Sequence, residues 1–253
     1  WCAQASVVGG AGDDNVVSDE GGYGGFDGGD GQDFFSDNNI DEPYTLTLHP
    51  TVENATLVTG TIIGNALSNL LQLSGSGRIE GGGGADELWA GFGGCTLLGG
   101  DGEDTLITGD GADSLDGGAH NDLLRDWGDT DPGEGDTFKG GDGNDTVDYS
   151  IRDNDLTIGI GTLSDDGEAG EGDNVYLDIE TVIGGDGNDN IRGGASNNLL
   201  VGNFGIDTLF GNFGNDTLEG NEGNDDLDGG PGTDTLAGGA HNHLLRDWGD
   251  TDP

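Results

Sequence analysis

Residues 184–246, cut every nine residues, read GGDGNDNIR, GGASNNLLV, GNFGIDTLF, GNFGNDTLE, GNEGNDDLD, GGPGTDTLA and GGAHNHLLR. Position 1 is Gly in all seven units, position 6 is Asp in five, and position 8 is Ile or Leu in all seven. The register holds for 63 residues without an insertion. A disordered Gly/Asp tract has no reason to keep an apolar residue at every ninth position, whereas stacked structural units do.

The chemistry follows from the unit. The first six residues must turn tightly, and Gly supplies backbone conformations closed to other residues. With few side chains in the way, the turn's carbonyl oxygens can converge on a cation. The Asp at position 6 adds a hard anionic oxygen, and calcium takes six to eight such oxygens in flexible geometry. The last three residues suit a short strand whose position-8 side chain points inward.

This nonapeptide resembles the RTX, or haemolysin-type, calcium-binding repeat, a parallel β-helix architecture. The resemblance implies an all-β chain: a calcium-bound parallel β-roll or β-solenoid with strand-rich excursions. It also implies two nonapeptides per coil, with each Ca2+ held between successive loops on the same side. On that reading Asp189, Asp207 and Asp225 form one ladder of metal ligands, and Asp216 and Asp234 another.

Composition agrees with a cation-dependent fold. The chain has 253 residues, of which 56 are Gly, 51 are acidic and 6 are Lys or Arg, for a formal charge of −45. That charge argues against nucleic acid and anionic membrane surfaces as partners. Low hydrophobicity with high charge normally means disorder, unless cations neutralise the acids, and roughly ten calcium ions would offset about twenty charges. No apolar run reaches membrane-spanning length. The sequence starts at Trp1 and contains no Met, which suggests processing or a fragment. Cys2 and Cys95 are too few for a disulfide framework and are not expected to pair within one chain.

Five segments emerge. Residues 1–40 carry N-terminal repeats, GGAGDDNVV from Gly9 and GGDGQDFFS from Gly28, with Asp14 and Asp33 as candidate ligands. Residues 41–80 are strand-rich and end near a degenerate unit, GNALSNLLQ from Gly64. Residues 81–148 hold a second array in which Asp86, Asp104 and Asp122 would share one side, and Cys95 and Asp113 the other. A thiol is a poor calcium ligand, so a weak or empty site is expected at Cys95. An acidic interruption at 126–139 precedes one further unit with Asp145; Asp126, Asp129, Asp131, Glu134 and Asp136 could bind one more cation there, and otherwise the stretch is an acidic turn with Trp127 covering the core edge. Residues 149–183 form an excursion of strands around the acidic loop SDDGEAGEGDN, and 184–253 are the main array and tail.

One longer repeat stands apart. GGAHNDLLRDWGDTDP at 117–132 recurs at 238–253 with only Asp122 changed, to His243.

The four histidines form no H-E-x-x-H, and no G-x-S-x-G occurs, so no enzymatic activity is expected. Position 3 of the main array carries no Thr ladder, which disfavours ice binding. The expectation is a secreted, bacterial-type, calcium-dependent structural protein: part of an extracellular filament, stalk, adhesin or surface layer. It would self-associate head to tail through its terminal coils or attach to a cell surface. The alternative is the non-catalytic calcium-binding portion of a secreted protease or lipase.

Overall fold

The computed structural model describes residues 6–18, 25–38, 44–128, 133–161 and 165–247. Within them the chain forms strands and turns, with no helix long and apolar enough to cross a membrane. Each nonapeptide contributes one short strand. Its apolar residue points inward, its neighbours point outward, and glycine turns reverse the chain before it can extend further.

All ladder pairings between the strands are parallel, so the molecule is a β-solenoid. One face is a single sheet of twelve strands, from Asn15–Ser18 to Thr235–Ala237. The opposite face is broken into three: a pair (Ser6–Ala11 and Gly25–Asp30), a seven-stranded sheet from Tyr44–Thr47 to Asn174–Val175, and a five-stranded sheet from Thr157–Gly159 to Leu244–Arg246. The strand-rich segment therefore belongs, from Tyr44 on, to the same stack, its strands pairing into both faces.

Register fixes the core. On the long sheet Leu88 lies opposite Leu106, and Leu106 opposite Leu124, so one coil is 18 residues. The interruption after Arg125 lengthens the next step, to Val147, without shifting the column. The other face carries Ile79, Leu97, Leu115 and Phe138 in one column, and Ile191, Leu209 and Leu227 in another. All eleven of these side chains are fully buried. Burying such a side chain contributes about 1.5–3 kcal/mol, so the core is a thin double column in which each coil depends on its neighbours.

The excursion is built into this stack. The strand Thr146–Asp148 pairs directly with Thr181–Ile183 across it on the long sheet. The two intervening strands, Thr157–Gly159 and Asn174–Val175, both go to the other face, one opening the five-stranded sheet and one closing the seven-stranded sheet. Its acidic loop turns inward: Asp166 accepts backbone N–H groups from Gly159 (2.6 Å) and Val175 (2.8 Å).

Trp127 does not cover a core edge. It is 53% exposed and packs against Trp89, with ring centroids 5.8 Å apart. Trp89 follows the inward-facing Leu88, so the pair lies on the outer side of the long sheet.

Candidate metal centres

The turns require backbone that few side chains adopt. In most units position 2 takes positive φ and is filled by Gly or Asn, as at Asn212 with φ of 69°. His120 and His241, at position 4 of the two GGAH units, hold φ of 84° and 88° where most units place Gly. These two histidines are turn residues.

The turns deliver the position-6 carboxylates into columns. Asp86, Asp104, Asp122 and Asp145 stand in one: the backbone N–H of each donates to Oδ1 of the next, at 2.7–2.8 Å. Asp14 and Asp33 make the same bond at 2.9 Å, as do Asp216 and Asp234. All these residues precede strands of the long sheet. On the other side Cys95 donates to Asp113 at 2.6 Å, and Asp189, Asp207 and Asp225 form a further column at 2.9–3.0 Å. The last column ends on His243, whose Nδ1 accepts the Asp225 N–H at 3.3 Å.

Each column carboxylate has a second oxygen. Oδ2 is buried and without a hydrogen-bond partner in Asp14, Asp33, Asp86, Asp104, Asp122, Asp145, Asp207, Asp216, Asp225 and Asp234, although that of Asp225 lies 3.2 Å from His243 Nδ1. In Asp113 and Asp189 it accepts a backbone N–H, from Gly109 (2.9 Å) and Gly185 (2.8 Å). Ten orphaned anionic oxygens in one small chain are far outside the norm for buried polar groups. They sit against glycine: a Cβ at Gly99 would collide with Asp104 Oδ2 and the Gly117 carbonyl oxygen, and one at Gly211 with Asp216 Oδ2 and the Gly229 carbonyl oxygen. Carboxylate and carbonyl oxygens from successive same-side coils thus converge on a space kept free of side chains. Hard oxygen donors of this kind fit calcium. Among the described residues no three or more His, Cys, Asp or Glu side chains cluster on one point, so a site would take one carboxylate or two and draw its other oxygens from the backbone.

Burial raises the carboxyl groups in the metal-free chain. Asp86, Asp122 and Asp207 are pushed from 3.8 up to about 7, and Asp113, Asp145 and Asp216 to about 6; Asp104 and Asp189 shift the same way. The first cause is loss of water. Neighbouring carboxylates add to it, Asp104 acting on Asp86 and Asp189 on Asp207. A bound divalent cation would supply the countercharge that the fold lacks there.

The columns extend beyond the nonapeptides. Asp33 N–H donates to Glu53 (2.8 Å) and Asp145 N–H to Glu180 (2.9 Å). Asp113 N–H donates to Asp136, and Asp136 N–H to Asp173, both at 2.8 Å. None of these four acids sits in a Gly-Gly-x-Gly frame. The signal that finds them is local: an acid, then Thr or Asn, then an apolar residue, as in Asp136-Thr-Phe, Asp173-Asn-Val, Glu180-Thr-Val and Glu53-Asn-Ala. Asn69 and Asn198 hold the same position with no orphaned atom. Their Oδ1 atoms accept N–H groups from Asn65 (3.1 Å) and Gly194 (2.8 Å), and their Nδ2 groups donate to carbonyl oxygens of the preceding coil. At Cys95 the sulfur lies 3.1 Å from the Gly93 carbonyl oxygen; the thiol is free, and burial raises its pKa. Cys2 lies outside the described residues.

Within the interruption at 126–139 the described acids do not converge on one point. Asp126 is bound by Arg152 Nη1 at 2.7 Å, Asp136 belongs to the column described above, and Glu134 is exposed. Asp129 and Asp131 lie outside the described residues. Arg152 also binds Glu171 and Glu168, while Tyr149 donates its hydroxyl to Asp173 at 3.0 Å. The buried Arg152 guanidinium thus gathers Asp126, Glu168 and Glu171.

Among curated proteins, none matches the sequence. The sequence profile of the RTX calcium-binding nonapeptide repeat matches residues 73–94, 96–125, 133–150, 177–209 and 201–236. These segments cover about half of the chain and include most of the column carboxylates from Asp86 onward. With the profile, the parallel solenoid and the orphaned carboxylate columns in agreement, the chain belongs to the RTX calcium-binding nonapeptide repeat family.

Proposed function

We propose that this protein is a secreted, non-catalytic structural module whose solenoid is assembled by calcium outside the cell, as a segment of an extracellular filament, stalk, adhesin or surface layer. The observation that carries the reading is the set of orphaned Oδ2 oxygens, which makes metal-free folding costly and supports calcium as a component of the scaffold. Extracellular calcium modules of the EF-hand type bind at about 10⁻⁴–10⁻³ M. Affinity in that range would leave the chain unfolded inside a cell and folded outside.

The histidines support a structural role, since His120 and His241 are turn residues and His243 stands in a carboxylate column. At the outermost described coil, the strand Leu244–Arg246 is paired on one side only, and Leu244 and Leu245 are about half exposed. Such an edge accepts a further strand. A next module of the same polypeptide or a second copy could provide it; head-to-tail addition of copies would give an open filament.

Electron microscopy of the protein in millimolar calcium, with light scattering on the same sample, tests this. Slender rods that lengthen with concentration and vanish on chelation are expected. Compact particles indifferent to the chelator would contradict the reading.

A further inference from the structure

The outer side of the long sheet carries a cleft that runs onto the turns of the Cys95 and Asp113 units and is lined by no column carboxylate. Trp89 and Trp127 border it with ring planes tilted 58° to one another, and Phe92, 81% exposed, lines it too. The cleft holds about 270 Å³, and Asp110 is its one charged lining residue among those described.

This aromatic corner is held from below. Trp127 donates its backbone N–H to Thr108 Oγ1 at 2.9 Å, and the preceding Asp126 is locked by Arg152 at 2.7 Å and by the Gly128 N–H at 2.8 Å. Thr108 and Asp126 are both buried. The indole is therefore positioned by a buried polar network while more than half of its own surface stays in water.

Cations are the scarce component in this protein. All six basic side chains have other partners. Arg78 pairs with Glu80, Arg125 with Asp148, Arg152 with Asp126 and the excursion acids Glu168 and Glu171, and Arg246 with Asp226. Lys139 covers the Tyr176 ring and Arg192 the Phe210 ring. The indole pair and Asp110 have no such partner among the described residues.

We propose that the Trp89–Trp127–Asp110 cleft binds a small organic cation, an alkylammonium group of the choline type, free in solution. Indole faces attract a cation placed within about 6 Å of the ring centroid, and quaternary ammonium ligands are the usual guests of such aromatic corners. Asp110 supplies the countercharge, and the −45 formal charge raises the local concentration of cations. Calcium does not compete for the rings, because it requires oxygen ligands. A choline head group on a bilayer is disfavoured, since its neighbouring phosphate would face an acidic surface.

The test is titration of the full chain in saturating calcium with choline chloride, read by tryptophan fluorescence and calorimetry. Sodium chloride matches the ionic strength, and the uncharged isostere 3,3-dimethylbutan-1-ol and a methyl glucoside serve as neutral probes. Saturable binding near roughly a millimolar is expected for choline alone, with Trp127→Ala abolishing it and Asp110→Asn weakening it several-fold. Circular dichroism confirms that each variant is folded; should Trp127→Ala fail to fold, Asp110→Asn still decides. Equal response to the uncharged isostere, binding of the glucoside instead, or no change in Asp110→Asn would overturn the proposal. Co-sedimentation with phosphatidylcholine vesicles would overturn the free-ligand assignment.

Discussion

Asp104 has two oxygens in two situations. Oδ1 accepts the Asp86 N–H and holds one coil to the next, whereas Oδ2 is buried with no partner in the protein. Replacing it by Asn keeps an acceptor for the first and removes the anion from the second. Asp104→Asn is expected to lose about one bound ion by equilibrium dialysis and on the order of 1–3 kcal/mol of stability in saturating calcium. An unchanged ion count would show that Oδ2 is not a ligand. Protonation offers the metal-free chain a partial substitute for calcium. Carboxyls raised from 3.8 to about 6–7 keep protons in the folded state that the unfolded state has already released. Stability of the metal-free fold therefore falls as pH rises from about 4 to about 7, and the loss is complete above that range. In chelator, acidification from about pH 7.5 to about 5.5 should increase the β signal in circular dichroism; no gain would contradict the burial of these groups.

At the scale of one coil, Asn198 shows how the stack can pass a position without an ion, because its amide satisfies both of its ends internally. Asn198→Asp should create a further orphaned oxygen and raise the bound calcium count by about one in equilibrium dialysis; an unchanged count would mean that the turn there cannot supply carbonyl ligands. The excursion depends on other physics. Arg152→Ala would leave Asp126 and Glu171 buried without a countercharge, at a cost of about 3–5 kcal/mol. Hydrogen exchange at Val175 and Gly159 should accelerate while amides beyond Gly202 keep their protection; uniform acceleration would mean that the excursion is not a local unit. The sequence shows why these elements differ in legibility. Coils at 184–246 can be read because glycine frame, acid and apolar residue recur together at a fixed spacing. Glu53, Asp136, Asp173 and Glu180 lack the glycine frame and enter the columns through loops of irregular length, so only the strand triplet after each acid betrays them. Arg152 cannot be read at all: nothing in its local sequence says that acids 26 residues before it and 19 after it fold onto it.

The molecule as a whole stacks short strands over a core two columns wide, with acids lining both turns. Truncating one core position, Leu106→Ala, should cost about 2–5 kcal/mol, read as a lower thermal midpoint in calcium. A loss below about 1 kcal/mol would mean that the column is loosely packed. That apolar gain alone does not offset the burial of columns of like charge, which is the central claim: this chain holds its fold only as a calcium complex. The direct measurement is far-ultraviolet circular dichroism of the 253-residue chain titrated with calcium from chelator upward at pH 7.5. A coil spectrum in chelator is expected, converting cooperatively to β near roughly 10⁻⁴–10⁻³ M calcium. A full β spectrum retained at micromolar calcium would contradict the account.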